Sequence, residues 1–206
     1  LKGENMLEKD IQFIKDNLHN LCTNKTFVGI GSTRKVFRYK NYVIKQHLHP
    51  IGFKQSQNEY NIFTKLNTQG LTKYVADIVY VDEQISIQKY YSNLPLIEAQ
   101  SYDLEISEDL RFTEELKSAI HLINKEYDGF DLKDSGNYGI DENGHFVLID
   151  FGMTKMLYEK EWVPLAEDGI LPQIYFEKCM NCGEEKELRI YGDTDLDRRC
   201  FACGKQ

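Results

Sequence analysis

An excess of positive charge is missing from this chain. Its 206 residues carry Lys+Arg 25 against Asp+Glu 33, a net charge of -8. A surface of that sign repels a nucleic-acid backbone or an anionic membrane. The chain is a poor candidate for bulk binding to either, and a local basic patch stays open. No apolar run reaches the length of a membrane span. The first residues, Leu1-Lys2-Gly3-Glu4-Asn5, lack the charged-then-apolar order of a secretion signal. No internal repeat or low-complexity linker breaks the pattern. Hydrophobic residues at 41% and charged residues at 28% are ordinary for a soluble globular protein. The length suffices for one good core and a small appendage.

Cysteine is sparse and unevenly placed. Cys22 stands alone near the end of a predicted helix and reads as a buried apolar residue. Cys179, Cys182, Cys200 and Cys203 form two C-x-x-C pairs. In a chain with no export signal such pairs read as metal ligands before disulfides. The expected location is a reducing cytoplasm, a host cell's if the protein is a secreted effector.

The apolar period divides the rest. Leu7, Ile11, Ile14, Leu18 and Leu21 predict a helix over 5–22. Phe27–Gly31, Val36–Tyr39 and Tyr42–Lys45 predict three strands, the last two joined at Lys40-Asn41. A helix over 55–67 and a strand pair at 75–81 and 85–90 follow. Residues 107–127 predict a longer helix capped by Ser107, with Leu110, Leu116, Ile120 and Ile123 on its apolar face. A loop over 128–137 leads to Tyr138-Gly139-Ile140, a turn, and the apolar run Phe146–Ile149. Over 153–177, Pro164 and Pro172 predict interruption of any helix.

Four pieces of this chain suit phosphoryl transfer. Gly29-Ile30-Gly31-Ser32-Thr33-Arg34-Lys35-Val36 is a glycine turn between strands, and glycine lets backbone N–H groups approach phosphate oxygens. Alone, such a turn is more often an ordinary hairpin. Lys45 lies on the following strand, where it can reach phosphates if a carboxylate holds it. Glu59 on the next helix is the natural partner, although a single Lys and Glu are more often a surface pair. The loop Asp131-Leu132-Lys133-Asp134-Ser135-Gly136-Asn137 precedes Asp150-Phe151-Gly152. An Asp and an Asn on neighbouring strand ends can hold magnesium on a nucleotide. A further Asp can accept the acceptor hydroxyl's proton, and a nearby Lys can steady the moving phosphate.

In this order the motifs resemble the protein-kinase family over about residues 25–155. The stretch from Asn137 to Gly152 is especially similar. The resemblance implies an α+β, two-lobed kinase-like fold whose helical C-lobe is truncated, because only 54 residues follow Gly152. It implies an N-terminal helix over 1–24, an N-lobe over 25–90, a reduced C-lobe over 91–177 and a ribbon over 178–206. Reduced kinases of bacterial effectors and phages are similar in this respect. It implies ATP and Mg²⁺ as ligands. Gly29, Gly31 and Val36 would cover the nucleotide, and Lys45, paired with Glu59, would bind its α- and β-phosphates. Residues Gln88 to Tyr91, with Gln88 and Tyr90 chief among them, would read adenine through the backbone. Asn137 and Asp150 would hold Mg²⁺. Asp131 would be the base and Lys133 would contact the γ-phosphate. The departures are Arg34 for the third glycine, Gly129-Phe130 for the His-Arg before the base, and Leu132 five residues before Asn137. The last leaves Asp134 open as a second base. The missing Arg argues against control by a phosphate on the activation loop.

The two cysteine pairs are each followed by glycine, with 17 residues between the inner cysteines. Four thiolates so spaced close a tetrahedral Zn²⁺ site with no open position, hence a structural one, with iron as the rival. Residues 178–206 carry six Lys/Arg and six Asp/Glu, which disfavours nucleic acid as partner. The expected function is transfer of phosphate from ATP to Ser/Thr hydroxyls of a protein substrate. A catalytically weak or inactive nucleotide- or partner-binding module is one alternative. A small-molecule phosphotransferase is another.

Overall fold

The computed structural model describes residues 4–98 and 100–205, with side chains from residue 8 onward. The chain folds as α+β. Helix α1 (Glu4–Asp16) and the short α2 (Leu18–Leu21) replace the single helix expected over 5–22, with the break at Asn17. The expected apolar position Leu7 lies outside the described side chains. Strands β1 (Phe27–Ile30), β2 (Arg34–Tyr39), β3 (Tyr42–His47), β4 (Ile78–Val81) and β5 (Ile85–Lys89) form an antiparallel sheet in the order β1-β2-β3-β5-β4.

Alternation along the strands gives this sheet two different faces. Phe37, Ile44, Ile85 and Ile87 point to one side, where Ile14 of α1 covers them in a closed apolar cluster. Full burial of one such side chain contributes roughly 1.5–3 kcal/mol. Lys45, Ser86 and Gln88, the residues between them in β3 and β5, are buried on the other side. That side carries α3 (Pro50–Thr68). Pro50 in the first turn fits a position with no N–H to satisfy, and His49 caps the helix by accepting from Ile51 N.

A second core lies beyond α3. It joins Ile62 and Leu66 to α4 (Glu114–Tyr127) and to the ribbon of β6 (Ser92–Asn93), β7 (Tyr138–Ile140) and β8 (Phe146–Leu148). Leu116, Ile120 and Ile123 of α4 are buried there, as the helical period requires. The expected start at Ser107 is corrected. Thr113 is the cap, accepting from Leu116 N at 3.2 Å, and Glu114 and Glu115 fill the first turn. Both features suit the positive end of a helix. Leu110, expected on the apolar face, is 97% exposed in the turns before it.

The segment expected to be irregular is helical from Lys155 to Glu167. Helix α5 (Lys155–Leu157) runs through a π turn at Tyr158–Trp162 into α6 (Val163–Glu167). Val163 N donates to Tyr158 O, five residues back. The wider turn lets Pro164 follow without its ring meeting a four-residue hydrogen bond. Strands β9 (Gln173–Lys178) and β10 (Glu185–Ile190) then form a hairpin that begins before the expected boundary at 178. Among the described residues no helix is long and apolar enough to cross a membrane.

Candidate functional site

Glu59 reaches the cleft because α3 has a polar and an apolar half on one buried stripe. Gln55, Ser56 and Glu59 face the strands, while Ile62 and Leu66 continue into the second core. Lys45 stands on β3 between Val36 of β2 and Ser86 of β5. Its Nζ lies 3.0 and 3.2 Å from the two Glu59 oxygens and donates to Ile149 O at 3.0 Å. Sequence reasoning anticipated this pair. It missed Arg34.

The Arg34 side chain is only 5% exposed and bridges two carboxylates. Nη1 lies 3.0 Å from Glu59 Oε1, and Nη2 lies 2.7 Å from Asp150 Oδ1. Arg34, Lys45, Glu59 and Asp150 thus form a closed set of two cations and two anions. Burial raises the Glu59 carboxyl against the pull of Arg34 and Lys45. Burial lowers Lys45, with Glu59 opposing. Burial also works against the Asp150 charge, but Arg34 and then Lys45 hold that carboxyl well below its usual range. The signal in the sequence was an arginine standing where a glycine hairpin needs none.

The Asp150 side chain is 37% exposed and faces the cleft. Its backbone N–H, like that of Ile149, donates to Asn137 O, which ties the two predicted metal ligands together. The Asn137 amide donates through Nδ2 to Asp131 O at 2.7 Å. A backbone carbonyl can only accept, so the Asn137 side-chain oxygen is turned the other way and is available to a cation. A carboxylate and an amide oxygen on one cavity wall fit Mg²⁺.

Asp131 and Asp134 take different parts. Asp134 is engaged on both oxygens, accepting from Gly136 N at 2.6 Å and from Ser101 Oγ at 2.8 Å. It caps the 3₁₀ turn Ser135–Asn137. Asp131 lines a cavity of about 190 Å³ with Asn137, Asp150, Phe130 and Trp162. Partial burial of its carboxyl, then the carboxylates of Asp134, Asp103 and Asp150, push it up to about 6. Lys133 is exposed and lines neither this cavity nor the next. The structure does not bring it to the others.

On the other side of Asp150 lies a cavity of about 160 Å³, lined by Gly29, Val36, Lys45, Gln88, Tyr90 and Asp150 among others. A Cβ at Gly29 or Gly31 would meet nothing within 4 Å, and neither glycine has a positive φ. The fold itself does not demand glycine there; what these residues keep is open space beside the backbone. The expectation that Gln88 offers its backbone is corrected. Gln88 pairs with both Val43 and Ile78, so its main chain belongs to the sheet. Tyr90 N is engaged with Asn41 O. The Gln88 side chain instead enters the cavity, 3% exposed. Its Nε2 donates to Ile149 O at 3.1 Å, and its Oε1 is buried without a partner among the described residues. A buried acceptor without a donor is costly unless a ligand supplies one.

The four paired cysteines converge as expected. Their sulfurs all lie within 4.8 Å of one another. Cys200 N donates to Cys179 Sγ at 3.2 Å, the pattern of a turn folded around thiolate. N–H groups from Cys182 and Cys200 bring the Cys179 thiol down to about 6. The cluster can hold a metal ion, and four sulfurs at this separation suit a tetrahedral one with bonds of about 2.3 Å. Cys22, expected to be buried, is only partly so; it packs against the α1 cluster, and that partial burial pushes its thiol up to about 11.

No family model matches this chain, and no curated protein matches it.

Proposed function

We propose that this chain is an ATP-dependent phosphotransferase of the protein-kinase type, acting on Ser/Thr hydroxyls. One observation carries the proposal. Lys45 is paired with Glu59 from the next helix, and Asp150 is shared between the cavity that Lys45 lines beside the glycine hairpin and the one that Asn137 lines. Simple packing does not require two buried cations, two carboxylates and an orphan acceptor in one place.

The 160 Å³ cavity takes the nucleotide base, with Gln88 Oε1 accepting from its amino group. Lys45, fixed by Glu59, meets the phosphates. Asn137 and Asp150 hold Mg²⁺, which supplies charge neutralisation on those phosphates. Asp131, in the cavity on the far side of Asp150, takes the acceptor proton. Asp134 is committed to its turn, which favours Asp131 in that role. The cysteine cluster holds a structural Zn²⁺ ion.

A second reading is a nucleotide-binding module without transfer. The ion pair between Arg34 and Asp150 and the outlying Lys133 favour it. Single-turnover assays with labelled ATP separate the two. Transfer to protein that is abolished in Asp131→Ala and retained in a correctly folded Asp134→Asn supports the enzyme. ATP binding without transfer to any protein or small alcohol supports the module.

A further inference from the structure

Arg189 lies on β10, between Leu188 and Ile190. Those two neighbours point into the small core that contains Cys179 and Cys200. By strand alternation Arg189 points the other way, and it ends on the glycine hairpin. Its Nη1 donates to Gly31 O, and its Nη2 donates to Tyr191 Oη at 3.0 Å. The residue is only 6% exposed. Among the described residues its Nε has no partner and no carboxylate forms an ion pair with it. A buried guanidinium without a counter-anion is expensive. Carbonyl bonds offset part of that cost, and a negative ligand across the hairpin would offset more.

A second contact holds the same two parts together. The ring of Phe201 stacks on Phe27 of β1 with centroids 4.5 Å apart, and Lys35 Nζ sits 5.2 Å from the Phe201 ring centre. Phe201 follows Cys200 directly and lies in the turn that carries Cys203. The core of this ribbon is two aliphatic residues and thiols. A cluster that small does not hold its shape without a metal.

We propose that Arg189 is a positioning residue for the phosphate-binding hairpin, and that the metal in the cysteine cluster keeps it in place. The ribbon is then part of the nucleotide site and not a separate tail. It fixes the Gly31 carbonyl, aims the hairpin's N–H groups at the phosphates, and sets a positive charge behind them. The proposal rests on the phosphotransferase reading for its ligand.

The test uses the full chain as wild type, Arg189→Ala, Arg189→Lys, and wild type stripped of metal by a chelator. Amide hydrogen exchange over residues 28–34 is measured without nucleotide, alongside zinc content and affinities for Mg²⁺-ATP and for adenosine. Arg189→Ala is expected to keep its zinc and its melting temperature, exchange faster in the hairpin, and bind ATP about tenfold more weakly. Adenosine affinity should move by less than about twofold, since no phosphate is involved. Arg189→Lys should fall between, and stripped wild type should resemble Arg189→Ala in hairpin exchange and in ATP affinity. Unchanged hairpin exchange in Arg189→Ala, or equal loss of ATP and adenosine binding, overturns this inference. A wild type that binds neither ligand, with hairpin exchange still controlled by Arg189, overturns the phosphotransferase reading and with it the hairpin's role in binding phosphate.

Discussion

Arg34 and Asp150 are separated by 116 positions and joined by a 2.7 Å ion pair. The pair occupies one oxygen of a carboxylate proposed to receive a metal. Removing the guanidinium leaves Asp150 and the buried Glu59 facing each other with Lys45 as their shared cation. Arg34→Met is therefore expected to lower stability by roughly 3–5 kcal/mol in metal-free buffer. Mg²⁺-ATP should recover part of that loss by neutralising Asp150. Urea unfolding with and without Mg²⁺-ATP measures both, and a neutral Arg34→Met would show that the pair contributes nothing.

Asp131 titrates at about 6, raised by partial burial and by three carboxylates. A base must be ionised, so transfer should rise with pH through about 6 and level off above it. In Asp134→Asn one of the raising charges is gone, and the midpoint should move down. The stability effect has the opposite sense. The folded state holds the Asp131 proton more tightly than the unfolded chain does. Stability contributed by that proton is present at low pH and is lost as pH rises from about 4 to about 6. Asp131→Asn should flatten that part of the curve. A pH–rate profile with no inflection near 6 would remove Asp131 from the base's role.

Gln88 lines the cavity with its Nε2 fixed on Ile149 O and its Oε1 buried without a donor among the described residues. Wild-type protein should therefore bind ATP about tenfold better than purine riboside triphosphate, which lacks the amino donor. In Gln88→Leu the two nucleotides should bind alike, with ATP weakened toward the analogue. Competition binding with both nucleotides decides this; a preference that survives in Gln88→Leu would mean the base is read elsewhere.

Thiol counting checks the cysteine cluster. Metal-loaded protein should resist a thiol reagent, and a chelator should expose Cys179, Cys182, Cys200 and Cys203. Cys22 is partly buried and its thiol is pushed up to about 11, so it should react more slowly than the freed cluster thiols. Mass mapping of the labelled sites and elemental analysis report the outcome. Four labelled cysteines before any chelation would mean that the cluster holds no metal.

The strands of the first sheet were legible because short runs rich in Val, Ile and Tyr are set off by turn residues, and in β5 Ile-Ser-Ile-Gln alternates with the period of the sheet. The Lys45–Glu59 pair was legible for the same reason: both residue types sit at fixed places on a strand and a helix. The cysteine cluster showed in spacing alone. Other features were not legible. The start of α4 depends on Thr113 and its two acidic followers outcompeting Ser107, a local contest of caps that periodicity does not register. The helix through Pro164 depends on a π turn, and the sequence shows the proline but not the widening before it. Nothing in the sequence pattern marks Arg34 or Arg189 as buried, because their burial comes from contacts across the fold.

Gly152 sits against α3 with no room to spare. A Cβ there would lie 2.0 Å from Gln55 O, and its own carbonyl accepts from Asn58 Nδ2 at 3.0 Å. Thr33 and Arg34 grip the same helix from the hairpin side, through Gln55 and Glu59. A helix clasped from two directions cannot swing outward without tearing several buried bonds at once. The cleft is accordingly built in its assembled form, and any throttle on it has to act through the hairpin or through what is allowed to enter.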